Sequence, residues 1–539
     1  MIKGSSFWDN KVCQDLVTVS VDGEDLSYFT NEQTPYQSLR ATAIRQPHDV
    51  GLIDTNGSEF TFGRLLECTD RFAAYLLTVV QPGARIALVL NTSVDFAVAY
   101  FAASRVSCVV VAISVKARPE ELRQKLTASH PQLLIIEDDV ECGTALDGFD
   151  GKVLKVSSGE GGALAEYSDS LGKAAFERAS GQLTTISVDM DADALVMFTS
   201  GTTAASKQVV LKNRAIAHAA EAYIRVLGLS SSDSTVLSVP IFYVTGLVAV
   251  LTVFVKVGGL VVLHKRFHAY ETLAEIKRRN LSFFHASPTV FAKLLEKKNE
   301  FSELPSLRMV CCGAAHMPET RIAALHKWLP RLAFRTVYGL TETSSPAFVM
   351  PQGAESSPYK GSSGLLIPGL DAKICDFAGQ EVAPGNTGDI WLRGTNVLDR
   401  YEGTDGTAGP HVEWLDTGDV GYLNTCGYLF VVGRSKEMIN RGGEKVWCCD
   451  VEENLRKCTG VKDVAVAGIA DELYGEVPVA AIVPCGVGFD LGQVKEELKK
   501  YLQRFQMPVQ YRVIEEIPTN ANAKVDRKAV ARLFVSASE

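Results

Sequence analysis

The chain has 539 residues, a net charge of −9, 46% hydrophobic residues and 22% charged residues. That length exceeds one ordinary domain, and the composition is that of a soluble globular protein with a large core. The acidic balance, with no dense Lys/Arg run, excludes nucleic acid and anionic membrane as main partners, because both demand a concentrated positive face.

Residues 1–34 show no usable periodicity and are set apart as an N-terminal extension. Arg85-Ile-Ala-Leu-Val-Leu90 then reads as a buried strand, followed by a helix that Ser93 caps, a second strand from Cys108 to Ile113 and a charged helix from Pro119 to Ala128. Further strands are expected at Leu195–Phe198, Val236–Val239, Leu260–Leu263 and Met309–Cys312. Strand, crossover helix, strand implies parallel α/β layers. The uncharged run Val239–Val255 holds Pro240 and Gly246 near its start and is closed by Lys256. Its uninterrupted apolar part is only about twelve residues, which suits a buried core helix rather than a membrane span.

After about residue 360, glycines such as Gly364, Gly385, Gly418 and Gly433 punctuate short strands, the pattern of a compact β-rich unit. Beyond Glu437 a smaller α+β unit is expected, with helices at Asp450–Lys457 and Leu491–Arg504 and a strand at Val464–Ile469. The fold class is therefore α/β. A large N-terminal domain over residues 35–435 carries the β-rich subdomain, and a small C-terminal α+β domain covers residues 436–539.

The twelve cysteines are scattered, with vicinal pairs Cys311-Cys312 and Cys448-Cys449 but no CxxC and no Cys/His cluster of zinc spacing. They read as free thiols in a reducing cytosol. The N-terminus lacks the apolar core of a secretory signal and the C-terminus matches no peroxisomal or prenylation tag, so the expected location is cytoplasmic.

The strongest local signal runs from Leu195 to Lys207, where a strand enters Thr199-Ser200-Gly201-Thr202-Thr203-Ala-Ala-Ser-Lys207. Small hydroxyl residues and glycine let backbone N–H groups and hydroxyls converge on phosphate oxygens, and the lysine adds positive charge. It is not the Walker pattern. Other segments follow in order: Cys312-Gly313-Ala314-Ala315, Tyr338-Gly339-Leu-Thr341-Glu342-Thr343, Trp414-Leu-Asp-Thr-Gly-Asp419, Gly433-Arg434-Ser-Lys436, Arg441-Gly442-Gly443-Glu and Ile517 to Arg527 around Lys524. Together these resemble the ordered motifs of the adenylate-forming (AMP-binding) superfamily, of the acyl-CoA synthetase or aryl-CoA ligase type, over roughly residues 35–530.

The resemblance implies an AMP-forming ligase that uses Mg²⁺ and ATP to convert a carboxylic acid to an acyl-adenylate, then passes the acyl group to coenzyme A. In that scheme Thr199 to Thr203 and Lys207 hold the β- and γ-phosphates, and Gly313, Ala314 and Ala315 line the adenine. Tyr338, followed by Gly339, stacks on it. Thr341 contacts the α-phosphate and Glu342 binds Mg²⁺. Asp419 accepts the ribose hydroxyls, Arg434 supports the ribose, and Lys524 bridges the attacking carboxylate and the α-phosphate. Lys436 is the hinge, and Gly442-Gly443 line the thiol tunnel. The acid pocket comprises Tyr243, Gly246, Cys312, Val337 and Thr343.

The chain departs from the family pattern in several places. Ala204, Ser206 and Gln208 stand where Gly, Pro and Gly are usual, Ala523 replaces a glycine before the lysine, and Trp447-Cys-Cys replaces a helix-entry proline. Tyr243 stands where the pocket motif usually has a histidine, which bears on the thiol acceptor more than on adenylation. The alternative is a stand-alone ligase that gives the adenylate to an amine or a carrier-protein thiol. A third reading is a degenerate member that binds nucleotide without turnover.

Overall fold

The computed structural model describes residues 1–21, 24–157, 188–199, 207–403, 405–486, 488–519 and 524–535. Two large sheets form the body. In the first, parallel strands Asp193–Phe198, Val109–Ala112, Arg85–Val89, Leu133–Glu137 and Lys152–Val156 lie side by side, with Gln208–Lys212 and Arg400–Glu402 added antiparallel at one edge. In the second, Ala333–Tyr338, Met309–Cys312, Phe283–Ala286, Ser234–Leu237, Leu260–Leu263 and Val50–Ile53 are parallel, flanked by short antiparallel edges. These β-branched runs are buried on both faces, as a parallel sheet covered by helices requires.

Helices fill the space between the sheets. Val94–Arg105 is capped by Ser93, whose hydroxyl accepts from the Phe96 N–H, and the residues from Val94 to Ala103 are buried. The apolar run after Pro240 is a buried helix, but its first part, Thr245–Thr252, is wound as a π-helix before an α-turn at Val253–Val257. The Thr252 hydroxyl donates to the Leu247 carbonyl five residues back at 2.8 Å. Gly246 is needed there, since a Cβ would lie 2.4 Å from the Pro240 carbonyl oxygen. Among the described residues no helix is long and apolar enough to cross a membrane.

The β-rich part is an antiparallel sheet ordered Ile2–Lys3, Leu370–Cys375, Gly388–Gly394, Leu415–Leu423, Leu429–Arg434. Its first strand comes from the N-terminus, where Trp8 also donates to the Leu366 carbonyl at 2.8 Å and Leu16–Val21 pairs with Glu24–Phe29. The small C-terminal domain has the sheet Glu444–Val446, Ile439–Arg441, Gly475–Pro484, Val461–Asp471, with Gln510–Val513 parallel to Gly475–Pro484, and helices Cys448–Lys457, Leu491–Leu498 and Arg527–Val535. The helix expected to reach Arg504 stops at Leu498, because the next bonds tighten to three-residue turns ahead of Pro508. Polar contacts cross between the two domains: the ion pairs Arg321–Asp463 and Lys462–Glu296, both at 2.8 Å, and a His316–Glu453 contact at 3.5 Å.

Candidate active site

The strand Leu415–Leu423 pairs with Leu429–Arg434 in a register that sets Asp419 opposite Arg434. Their side chains meet, Arg434 Nε to Asp419 Oδ1 at 2.9 Å, and the Tyr338 hydroxyl donates to Asp419 Oδ2 at 2.8 Å. Burial pushes the Asp419 carboxyl above its ordinary value, and Arg434 and Tyr338 oppose that shift. Each carboxylate oxygen has two acceptor positions, so one on each remains for a further donor.

Tyr338 ends its strand, and the chain turns at once into a short 3₁₀ segment, Thr341–Thr343. The turn is locked from below. Thr343 is fully buried, accepts from the Leu340 N–H at 3.0 Å and donates back to the Leu340 carbonyl at 3.2 Å. The fully buried Asn396 donates to the carbonyls of Thr343 and Pro346, both at 2.7 Å. Glu342 is thereby held outward, where its Oε1 accepts from the Tyr401 hydroxyl at 3.2 Å. Lys207 Nζ lies 5.0 Å from the centre of that same tyrosine ring, so a carboxylate and an ammonium flank Tyr401.

Thr199 and Lys207 flank the segment expected to bind phosphate and are joined by the Thr199 N–H to Lys207 carbonyl bond at 3.1 Å. Ser200, Gly201, Thr202 and Thr203 lie outside the described residues. Gln208, unusual for this position, is fully buried and donates to the carbonyls of Ala128 and Gly403 at 3.0 and 2.9 Å, so it fastens the hairpin base to the end of the helix Pro119–Ser129 and to the chain just after Arg400–Glu402. Gly313 is packed under Val337, whose carbonyl oxygen lies 2.9 Å from where a Cβ would stand. Ala314 has φ of +71° and is exposed beside Ala315. A non-glycine residue in that region costs about 1–2 kcal/mol, the kind of strain that collects at ligand-binding turns.

Lys524 comes from the other domain. Its ammonium feels Arg434, Asp419, Glu342 and Glu437, and burial, with Arg434 next, lowers its pKa below the ordinary lysine value. Arg527 braces the same loop: it bridges Glu437 at 2.7 Å and Glu452, and donates to the Val466 carbonyl at 2.6 Å. Residues from four distant parts of the sequence thus surround one point.

The other candidates scatter. Tyr243 packs against Phe242, ring centres 4.9 Å apart, and burial, with Glu121 second, pushes its hydroxyl up to about 12. Val337 belongs with the inner core, whereas Cys312 turns to the opposite face, into the outer core with Phe334 and Met350. Strand alternation explains the separation, since Cys311 is the residue that faces inward. Gly246 is sealed on the Pro240 carbonyl and Thr343 on Leu340. Lys436 lies in a short turn after Arg434, and Ser435 there donates to Asp389 at 2.9 Å. Gly442 and Gly443, with φ of +60° and +95°, form the exposed two-residue turn of the hairpin Ile439–Val446, and the Gly442 N–H donates to the Tyr474 carbonyl at 2.7 Å. Tyr401, Asn396 and Arg527 were not singled out by the sequence. Arg527 stands three residues after Lys524, the one signal that pointed to it, while the other two have no motif of their own.

Comparison with known proteins matches this geometry to a family. A sequence profile described as AMP-binding enzyme matches residues 39–402, and one described as AMP-binding enzyme C-terminal domain matches residues 450–524. The oxalate–CoA ligase of Arabidopsis thaliana is 30% identical over 507 residues, covering 92% of this chain and 98% of that protein. The indoleacetate–CoA ligase of Aromatoleum aromaticum is 33% identical over 344 residues, covering 63% of this chain and 67% of that protein. The o-succinylbenzoate CoA synthetase of Bacillus subtilis, solved with its acyl-adenylate intermediate, superposes with a TM-score of 0.78 at 26% identity, covering 93% of this chain and 98% of that one. The same enzyme with ATP and magnesium ion gives a TM-score of 0.77, covering 92% and 99%.

Proposed function

Because the chain belongs to the AMP-binding enzyme family, we propose that it is an ATP-dependent, AMP-forming ligase that activates a carboxylic acid as its acyl-adenylate and transfers the acyl group to coenzyme A. The observation that carries this reading is the position of Lys524 among Asp419, Arg434 and Glu342. A carboxylate oxygen attacks the α-phosphorus of ATP, and the bond to pyrophosphate breaks. Two anions must approach, so catalysis is largely charge neutralisation and alignment.

The roles follow from the contacts. Asp419 holds the ribose through its remaining acceptor positions, Arg434 fixes that carboxylate, and Tyr338 contributes its ring to the adenine with Gly313, Ala314, Ala315 and Gly339. Thr341 meets the α-phosphate, and Lys207, with Thr199 and the loop it closes, takes the outer phosphates. Lys524 places its charge between acid and α-phosphate, where it counts most as the new bond forms. Among the described residues no cluster of three or more His, Cys, Asp or Glu is built to hold a metal. The outward Glu342 carboxylate beside Lys207 fits a magnesium ion that takes its other ligands from phosphate and water. That ion supplies neutralisation of the leaving pyrophosphate.

In the second step the thiol sulfur of coenzyme A attacks the acyl carbonyl and AMP leaves. Rotation about Lys436 would bring the Gly442-Gly443 turn to the acid site in place of Lys524, and glycines suit a backbone that approaches a ligand closely. We place the reaction in the cytoplasm, where the twelve cysteines stay free thiols. The test is acid-dependent pyrophosphate release over a panel of aryl and aliphatic acids, with coenzyme A, with amines and with neither. Release with formation of a coenzyme A thioester supports the ligase. Release without any thioester moves the acceptor to an amine or carrier thiol, and silence across the panel overturns the reading.

A further inference from the structure

One buried ionisable side chain near the site has no part in the chemistry above. The strand Phe283–Ala286 runs beside Met309–Cys312, with His285 opposite Cys311 and Cys311 opposite Arg335 on the next strand. Cys311 faces the inner core, so His285 points to the same side, toward the helices between the two sheets. Its Nε2 lies 3.6 Å from the point a Cβ on Gly313 would occupy, and the Val337 Cβ lies 3.7 Å from that same point. The imidazole edge thus lies against Gly313 and Val337. The Tyr223 ring meets it edge-on at 6.1 Å, and the Tyr223 hydroxyl bonds Ser345 at 2.9 Å, directly under Gly339.

A buried histidine is most often a structural residue, and His218 in this chain is one, held by its Nε2 at 2.8 Å from the Pro368 carbonyl while its Nδ1 has no hydrogen bond. His285 is different. It is 3% exposed, its Nδ1 lacks a hydrogen-bond partner as that of His218 does, and among the described residues no hydrogen bond reaches its Nε2 either. Burial also drops its pKa to about 4, so at neutral pH the ring is uncharged, with one donor and one acceptor nitrogen. Buried polar atoms are rarely left unpaired without a reason, and a ligand group is one such reason.

We infer that His285 is a specificity-determining residue whose ring hydrogen-bonds a neutral polar group, such as a hydroxyl, on the body of the acid being activated. The inference rests on the ligase reading and adds a substrate class: acids with a polar substituent, in preference to the plain hydrocarbon acid of the same skeleton. A second carboxylate is a poor match, because the neutral ring offers no charge to balance it. A site built to bond a substrate hydroxyl rejects the analogue that lacks it, since its own polar atom is then left unpaired.

The experiment measures pyrophosphate release with matched acids, each with a hydroxyl, without it, or with a carboxylate in its place. The enzymes are wild type, His285→Leu and His285→Asn. Wild type should favour the hydroxylated member by about 10- to 100-fold in kcat/KM. His285→Leu should bring that ratio near one while keeping turnover of the plain acid, and His285→Asn should retain part of the preference. In the unaltered enzyme, the imidazole ¹⁵N resonances of His285 should move when the hydroxylated acid is added and stay still with the plain one. An unchanged ratio in His285→Leu, unmoved resonances, or a wild-type preference for the plain or dicarboxylic acid would overturn the inference. No release with any acid would instead overturn the ligase reading, and this inference with it.

Discussion

Lys524 is held where its charge is costly. Burial and Arg434 both work against the ammonium, while Asp419, Glu342 and Glu437 support it. A cation kept in such surroundings is useful when an anion arrives, because a fixed charge in a dry site acts more strongly than in water. Lys524→Ala should therefore slow adenylate formation by about 100- to 1,000-fold and leave thioester formation from a supplied acyl-adenylate close to wild type. Equal loss in both half-reactions would remove the assignment. The sign of the pH effect follows: in the proposed role the charged form acts, and its pKa is lowered, so adenylation should fall as pH rises through a value below the ordinary lysine range. Lys524→Arg should lose that alkaline limb. Asp419 depends on the same balance from the other side, with an Arg434 bond and a Tyr338 bond already on its two oxygens. Asp419→Asn leaves one acceptor oxygen, and calorimetric titration should show ATP binding weakened by about tenfold or more.

At the level of elements, rigidity is concentrated in the turns that carry these side chains. The Thr341–Thr343 turn is fastened by Asn396 to two buried carbonyls. Asn396→Ala leaves both without their donor and should cost about 2–4 kcal/mol in denaturant unfolding; a loss under half a kcal/mol would show that the turn holds itself. Ala314 is the opposite case, since its φ of +71° is strain that a glycine would relieve. Ala314→Gly should raise stability by about 1 kcal/mol. How far these elements were legible depended on their signals. Strands such as Leu260–Leu263 and Met309–Cys312, and the helix after Ser93, carry hydrophobic runs and caps that declare themselves. The π-winding after Val244 does not, because its residues are equally apolar in either helix and only contacts with Pro240 and Tyr100 distinguish the turns. The first strand, Ile2–Lys3, was invisible because its pairing partner lies more than 300 residues away, with Ile2 opposite Ala372. At the site, spacing named Asp419 and Arg434 but not their shared partner geometry. It also put Cys312 in the pocket although alternation along the strand turns Cys311 inward. His285 and Asn396 carried no motif, and their roles arise from what the fold packs around them.

On the scale of the whole molecule, the orientation of the small domain matters as much as the residues it carries. Lys524 reaches Asp419, Arg434 and Glu342 only while that domain lies as it does here, and Gly442 and Gly443 are then at an exposed tip. Three contacts between the two domains hold this arrangement. Arg321 pairs with Asp463 in a half-buried position, Lys462 with Glu296 on the surface, and His316 with Glu453. Exposed pairs contribute little, so the Arg321–Asp463 pair should dominate. None of these residues touches the chemistry. Their effect should be on population: losing about 1 kcal/mol from one orientation shifts the balance of two states by about fivefold. Arg321→Ala should accordingly lower the adenylation rate by about three- to fivefold at low salt, with thioester formation from a supplied acyl-adenylate unchanged or faster. Asp463→Ala should do the same, and the double variant should add little, because both remove one contact. High salt should narrow the difference from wild type. If both half-reactions fell together, or if the two substitutions were additive, the pair would be contributing to the stability of each domain and not to the choice between orientations.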